Sequence, residues 1–372
     1  MRWKNFALLT VVSLFVGVVL FGLNDSNAQQ LPPGSANQKS ASPSPTVSPT
    51  PPIEEDDEII KIDTDVVNVL FTAQDRNRRL LTDLKQSDIR LIEDGQPQQI
   101  SEFSRQVDLP LSLAILIDTS ASQERTLPQE KSAAKSFLQS VIRAEKDEVS
   151  VVSFTGEATL EQGMTNNVAR LTRAVDRVEF VPPSGYIGGG VVVAGTPPIS
   201  GRNQMTQGST AIWDAIWITS DEILKPSPDK TRRAIILLTD GVNTYGSKKL
   251  DEAVQAALKS EAVVYAIGIG DDFEFDGVDE GALKKISERT GGRAFFPRDE
   301  SELRKAFTQI QIEMRSQYLI AYEPSNQKRD GSYRKIEIQV ANTELAKQKV
   351  IITHRQGYFA KTETAPKPAA KK

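Results

Sequence analysis

Asp118, Ser120 and Ser122 alternate within Ile117-Asp118-Thr119-Ser120-Ala121-Ser122, directly after the apolar run Leu111 to Ile117. A carboxylate and two hydroxyls spaced i, i+2 and i+4 on a loop leaving a buried strand can all point at one place. Oxygen donors of this hard kind suit a hard divalent cation such as Mg²⁺. Thr210 and the pair Asp240-Gly241 follow downstream. Taken singly, each of these residues has a commonplace alternative. Asp118 and Ser120 could cap a strand-end turn, Ser209 or Thr210 could be the N-cap of the helix carrying Ile212, and Asp-Gly is a common turn dipeptide.

The elements around these residues alternate. Between Pro110 and Ser316 strand-like apolar runs occur at Leu113 to Ile117, Val149 to Phe154, Ala234 to Leu238 and Val263 to Ile269. Helical patterns lie between them. Ala134, Phe137, Leu138, Val141 and Ile142 form one face of a helix expected to start after Pro128. Ile212, Ala215, Ile216 and Ile223 form a second, Leu283 and Ile286 a third that stops at Gly291-Gly292, and Leu303, Phe307 and Ile310 a fourth. Continuous apolar strands separated by helices imply an α/β fold, a doubly wound and mostly parallel sheet covered on both faces. Ligands of such sheets bind outside the carboxyl ends of the strands, where Asp118 and Asp240 both fall.

The flanks have a different texture. Val67, Val69 and Phe71 alternate, as do Ile89 and Leu91 ahead of Asp94-Gly95, with Ile100 and Phe103 beyond. Near the C-terminus Tyr318, Ile320 and Tyr322, then Ile336, Ile338 and Val340 after Asp330-Gly331, and finally Val350 to Thr353, do the same. Each piece is too short to bury a good core alone. The expectation is one smaller β-sandwich built from both flanks, 59–109 and 317–360, with the domain 110–316 inserted between them.

Composition removes much of enzyme chemistry. The chain has 372 residues, enough for two or three domains, with an ordinary 39% hydrophobic and 25% charged content. A net charge of -4 argues against a nucleic-acid partner held by broad electrostatic attraction. There is no cysteine, which excludes disulfides, thiolate metal sites and Cys nucleophiles, and His354 is the single histidine. A histidine-built zinc hydrolase is disfavoured on that ground.

The N-terminus reads as an export signal. Arg2 and Lys4 precede the apolar stretch Phe6 to Leu23, and Ser26-Asn27-Ala28 offers an A-x-A-like cleavage pattern. Residues 1–28 are expected to be a cleaved signal peptide rather than a retained membrane anchor, which the length of the stretch would also permit. Residues 29–58, rich in Pro and Ser and closed by Glu54-Glu55-Asp56-Asp57-Glu58, read as a linker, and 361–372 as a disordered tail. Either reading of the N-terminus puts the folded part outside the cytoplasm: periplasmic, membrane-anchored or secreted in a bacterium.

With those residues in view, the chain resembles the von Willebrand factor A (VWA) family, whose metal-ion-dependent adhesion site (MIDAS) is written D-x-S-x-S, then Thr, then Asp. Gly208-Ser209-Thr210-Ala211-Ile212-Trp213-Asp214-Ala215-Ile216 matches the family segment around the Thr. The resemblance implies that Asp118, Ser120, Ser122, Thr210 and Asp240 form one metal site for Mg²⁺, with Mn²⁺ or Ca²⁺ as alternatives. Two carboxylates formally balance one divalent cation, while neutral oxygens and water complete the octahedron that Mg²⁺ requires. A metal with so few anionic ligands stays electrophilic, and the family is understood to bind a partner's Asp or Glu through it. Leu81-Thr82-Asp83-Leu84, Ile92-Glu93-Asp94-Gly95 and Arg355-Gln356-Gly357-Tyr358-Phe359 further resemble bacterial exported VWFA-related proteins, so that the likeness spans about residues 60 to 360.

One departure is a glycine-rich segment from Pro182 to Gly208 leading into Thr210. Long loops of this kind are commonly functional or disordered, and Tyr186, Arg202 and Asn203 are expected to contribute to partner specificity. The acidic run Asp271-Asp272-Phe273-Glu274-Phe275-Asp276-Gly277 is not an EF-hand, because Leu283 falls where the bidentate Glu would be needed. Trp213 and Trp217, four apart, are expected to pack rather than to hold a ligand. The functional expectation is an exported, non-enzymatic protein-binding module for adhesion or envelope assembly. A scaffold with an idle metal site is the alternative, and a metal-dependent hydrolase is disfavoured because Ser120 and Ser122 lack a basic partner.

Overall fold

The computed structural model describes residues 65–362 except 107, 183–208, 229 and 271–276. The N-terminal 64 residues, the end of the tail, Tyr186, Arg202, Asn203 and the acidic run 271–276 lie outside the described residues. Among the described residues no helix is long and apolar enough to cross a membrane.

Fourteen strands are described: β1 (Val67–Gln74), β2 (Ile89–Glu93), β3 (Gln96–Gln98), β4 (Ile100–Gln106), β5 (Leu111–Asp118), β6 (Glu148–Phe154), β7 (Ala158–Thr165), β8 (Arg232–Thr239), β9 (Ala262–Gly268), β10 (Ala294–Phe295), β11 (Gln317–Tyr322), β12 (Tyr333–Val340), β13 (Ile351–His354) and β14 (Gly357–Phe359). The helices are α1 (Leu127–Val141), α2 (Val168–Arg177), α3 (Ile212–Ile218), α4 (Leu250–Lys259), α5 (Glu280–Thr290), α6 (Glu300–Arg315) and α7 (Thr343–Lys347).

The central sheet has the order β10-β9-β8-β5-β6-β7 and is parallel except for β7 at its edge. All eight residues of β5 are buried, because its side chains alternate between two covered faces. Leu111, Leu113, Ile115 and Ile117 enter one core with α1, α2 and α6. Ala114 and Leu116 enter the other with α3, α4 and α5. This is the two-sided burial that a continuous apolar run implies. The helix expected after Pro128 starts at Leu127, with Pro128 in its first turn, where its missing N–H leaves no bond unmade.

The flanks combine as one smaller sandwich. Its sheets run β13-β1-β11-β4 and β14-β12-β2-β3, so that strands from before and after the central domain interleave in both. Val69, Phe71, Leu91, Tyr318, Ile320 and Ile336 share its core. Asp94 and Gly95 join β2 to β3 with φ of 48° and 81°, the signs of a type I′ hairpin turn. His354 is part of this sandwich, its Nε2 accepting from the Ile338 N–H at 3.3 Å, and burial pushes its pKa down.

A charged clamp closes the N-terminal end of the central sheet. Asp147 is 2% exposed and accepts from the Leu111 N–H at 3.0 Å, from Arg143 Nε and Nη2 at 3.0 and 2.9 Å, and from Arg315 Nη2 at 2.6 Å. It thereby ties the start of β5 to the ends of α1 and α6.

Candidate metal centre

The sheet order reverses between β5 and β8: β6 follows on one side of β5 and β9 lies on the far side of β8. A crevice opens at the carboxyl ends of strands that diverge in this way. The register pairs Ile117 with Leu238, which sets Asp118 beside Thr239 at the crevice.

Asp118 has no exposed surface. Its Oδ1 accepts from the Ser120 N–H at 2.9 Å and its Oδ2 from the Thr239 hydroxyl at 2.6 Å. The same Thr239 oxygen accepts from the Gly241 N–H at 3.1 Å, so Thr239 fixes both Asp118 and the turn after Asp240. The Ser120 and Ser122 Oγ atoms are 3.2 Å apart. Asp240 is 7% exposed, and its Oδ1 accepts from the Val242 N–H at 2.9 Å.

Burial first, and then the charge of Asp240, pushes the Asp118 carboxyl up to about 7, while hydrogen bonds from Ser120 and Thr239 pull against this. Burial also raises Asp240, opposed by hydrogen bonds from Ser122, Val242 and Gln123. Among the described residues no Lys or Arg pairs with either carboxylate. Two adjoining buried carboxylates without a cation are costly, and a divalent ion among them would reverse the sign of that interaction. The hard oxygen donors present fit Mg²⁺, Mn²⁺ or Ca²⁺. Among the described residues no cluster of three or more His, Cys, Asp or Glu side chains could hold an ion, so a centre here depends on hydroxyl and water oxygens beside the two carboxylates.

Thr210 joins the rim through its backbone. Its N–H donates to the Thr244 Oγ1 at 2.8 Å, and its carbonyl accepts from the N–H groups of Thr244 and Tyr245 at 3.0 and 3.1 Å. The Ala211 N–H donates to the Thr155 carbonyl at 2.7 Å, just beyond β6. Asn243 Oδ1 accepts from the Trp213 N–H at 3.3 Å. The loop after Asp240 therefore wraps the segment that carries Thr210. The Thr210 hydroxyl itself makes no hydrogen bond among the described residues.

Sequence reasoning did not single out the residues that hold this rim together. Gln123, fully buried, donates to Ser122 Oγ and to the Ile269 carbonyl, both at 3.4 Å. Asp214 accepts from Ser247 N–H and Oγ at 3.0 and 2.9 Å and from the Lys248 N–H at 3.0 Å. Its place in the segment that matched the family was the available signal. Trp213 is buried in the core, as its apolar setting implies, while Trp217 lies under the Lys248 ammonium at 4.5 Å.

Gly246 makes a direct test of the Asp214 clamp. It has φ of 112°, and a Cβ there would sit 2.1 Å from Asp214 Oδ2. Gly246→Ala is expected to displace Asp214, to lower stability by about 1–3 kcal/mol, and to weaken metal binding by loosening Thr210 against Asp240. Thermal melting and Mg²⁺ titration of the variant check this. An unchanged melting temperature would mean that the clamp does not hold the rim.

Two family models, both described as von Willebrand factor type A domain, match residues 113–243 and 199–309. The chain is a von Willebrand factor type A domain protein, its central α/β domain flanked by an antiparallel β-sandwich. Among solved structures it is similar to the conserved hypothetical protein BatB from Bacteroides thetaiotaomicron, with 18% identity over 55% of this chain and 100% of that one and a TM-score of 0.41. An aerotolerance-related membrane protein from Bacteroides fragilis gives 17% identity, the same coverages and a TM-score of 0.41. Proximal thread matrix protein 1 from the mussel byssus, with a zinc-occupied MIDAS motif, gives 21% identity over 59% of this chain and 49% of that one, with a TM-score of 0.43. The membrane location of the one and the zinc of the other are properties of those proteins. No curated protein matches this chain.

Proposed function

We propose that this protein is an exported binding module that recognises an Asp or Glu carboxylate of a protein partner through a divalent cation. Asp118, Ser120, Ser122, Thr210 and Asp240 would hold the ion, and Mg²⁺ is its expected identity. The observation that carries this reading is the pair of buried carboxylates, Asp118 and Asp240, adjoining at the crevice with Ser120 and Ser122 and raised by burial. Bound there, the metal would supply a Lewis-acidic position to which a partner's carboxylate can add. The chain's own residues orient that position: Thr239 and the Ser120 N–H fix Asp118, and Gln123 fixes Ser122.

Val242 and Tyr245, each 39% exposed, give the loop after Asp240 an apolar surface for the side chains beside the partner's carboxylate. The basic residues and apolar stretch near the N-terminus support export. The single histidine belongs to the sandwich and not to the crevice, which supports recognition over hydrolysis.

Affinity capture from bacterial envelope extract tests the proposal. Capture in Mg²⁺ should yield proteins that are absent in EDTA and absent when Asp118→Ala is the bait. Identical capture under all three conditions would leave the metal idle and reduce the domain to a scaffold.

A further inference from the structure

Glu130 is a charged side chain on the buried face of a helix. It lies on α1 in line with Ala133, Ala134, Phe137, Leu138 and Val141, and it has no exposed surface. Among the described residues neither of its carboxyl oxygens has a hydrogen-bond partner of good geometry. Removing a carboxyl group from water without a compensating partner costs several kcal/mol.

Its position suggests what compensates it. Gln123, Thr126 and Glu130 follow at i, i+3 and i+7, which stacks them on one side of the start of α1. All three are buried, with exposures of 0%, 1% and 0%. The Thr126 hydroxyl donates to Gln123 Oε1 at 2.9 Å, and Gln123 Nε2 donates to Ser122 Oγ at 3.4 Å. A hydrogen-bonded run of buried polar groups thus leads from the D-x-S-x-S loop to Thr126, one helical turn before Glu130. The charged groups that act on Glu130 are Asp118 and Asp240, both of the same sign. Burial first, and those two charges besides, push the Glu130 carboxyl up to about 8, with Thr126 pulling the other way.

We propose that Glu130 is a third carboxylate of the metal centre, acting through its charge from the buried end of the Ser122–Gln123–Thr126 run rather than by direct coordination. The inference rests on the metal reading given above. It places Glu130 outside the directly ligating set, in keeping with the absence, among the described residues, of a close cluster of three acidic side chains. With Asp118 and Asp240 alone, the ion's two charges are balanced at the site. A bound cation would favour the ionised form of Glu130, and with that third charge the site carries one negative charge in excess, which tightens its hold on the ion. An outer group of this kind typically changes metal affinity by about 10–100-fold.

Glu130→Gln keeps the shape and removes the charge. Titration of MgCl₂ into chelator-treated protein should show its Kd raised about 10-fold or more over the wild type. Glu130→Leu, which also removes the buried polar group, should melt at or above the wild-type temperature without metal yet gain less on adding Mg²⁺. Glu130→Asp should recover part of the affinity. A residue that merely packs would shift the metal-free and metal-loaded melting temperatures together and leave Kd alone. Wild-type Mg²⁺ affinity in both Glu130→Gln and Glu130→Leu, with binding lost in Asp118→Ala, would overturn this inference and leave the metal centre standing. No Mg²⁺ binding by the wild type would instead overturn the metal reading itself.

Discussion

Asp118→Ala is expected to remove all stabilisation by Mg²⁺. In the wild type, a free Mg²⁺ concentration 100 times Kd should add about 2.7 kcal/mol to the unfolding free energy. For a domain of 150–250 residues that corresponds to a rise in melting temperature of roughly 5–10 °C. The variant should melt at one temperature with Mg²⁺ and with EDTA. The physical reason is the double position of this carboxylate, which faces the crevice while its two oxygens are fixed by the Ser120 N–H and the Thr239 hydroxyl. Alanine removes one of the two anionic donors and also the acceptor that orients the loop. In the absence of metal the variant loses two hydrogen bonds but is relieved of repulsion from Asp240. Its metal-free stability should therefore change less than its response to metal, and differential scanning calorimetry with and without Mg²⁺ separates the two.

Asp147→Ala is expected to cost about 3–5 kcal/mol whatever the metal content, the magnitude found when one partner of a buried ion pair is removed. Arg143 and Arg315 would lose their shared acceptor and the Leu111 N–H its side-chain partner. The same clamp governs the response to acid. Burial would raise the Asp147 carboxyl, but hydrogen bonds from Arg143 and Arg315 outweigh it and hold the group down at about 2. A carboxyl depressed in the folded state from about 3.9 when unfolded stabilises fully above the unfolded value and loses that contribution as pH falls towards 2. The contribution is about 2.6 kcal/mol for a shift of this size. Urea unfolding at pH 6 and pH 2.5 should show the wild type losing more stability than Asp147→Ala over that interval. Equal losses would remove Asp147 from the account of acid sensitivity.

The contrast between these two aspartates also shows what a sequence discloses. The four main strands of the central sheet were legible because burial on both faces demands unbroken apolar runs, as in Leu111 to Ile117. The edge strand β7 was not, since Ala158–Thr165 is largely exposed or half-buried and pairs with β6 through register shifts. Helix α4 hid for another reason: half of its buried face is alanine, Ala253 and Ala257 beside Val254 and Leu258. The sandwich was readable from the alternation in both flanks, because neither half has enough apolar surface to stand alone.

At the crevice, the legible part was the part local in sequence. Asp118, Ser120 and Ser122 announce themselves by spacing, but Thr239 matters only because the register sets Ile117 against Leu238. Thr244 and Asp214 matter because two loops distant in sequence wrap each other. Glu130 could have been found: a glutamate falling on the apolar stripe of α1 breaks the pattern that defines the helix. The segment from Pro182 to Gly208, with Tyr186, Arg202 and Asn203, remains a sequence-based expectation about specificity.

Asp118, Ser120, Ser122, Thr210 and Asp240 are proposed to hold one divalent cation. Titration of Mn²⁺ into chelator-treated protein, followed by electron paramagnetic resonance of the free ion, tests it without knowledge of the partner. The free Mn²⁺ signal should be suppressed up to one equivalent, Mg²⁺ should compete for the same site, and Asp118→Ala should give no suppression. A free Mn²⁺ signal that rises in proportion from the first addition, alike in wild type and Asp118→Ala, would contradict it.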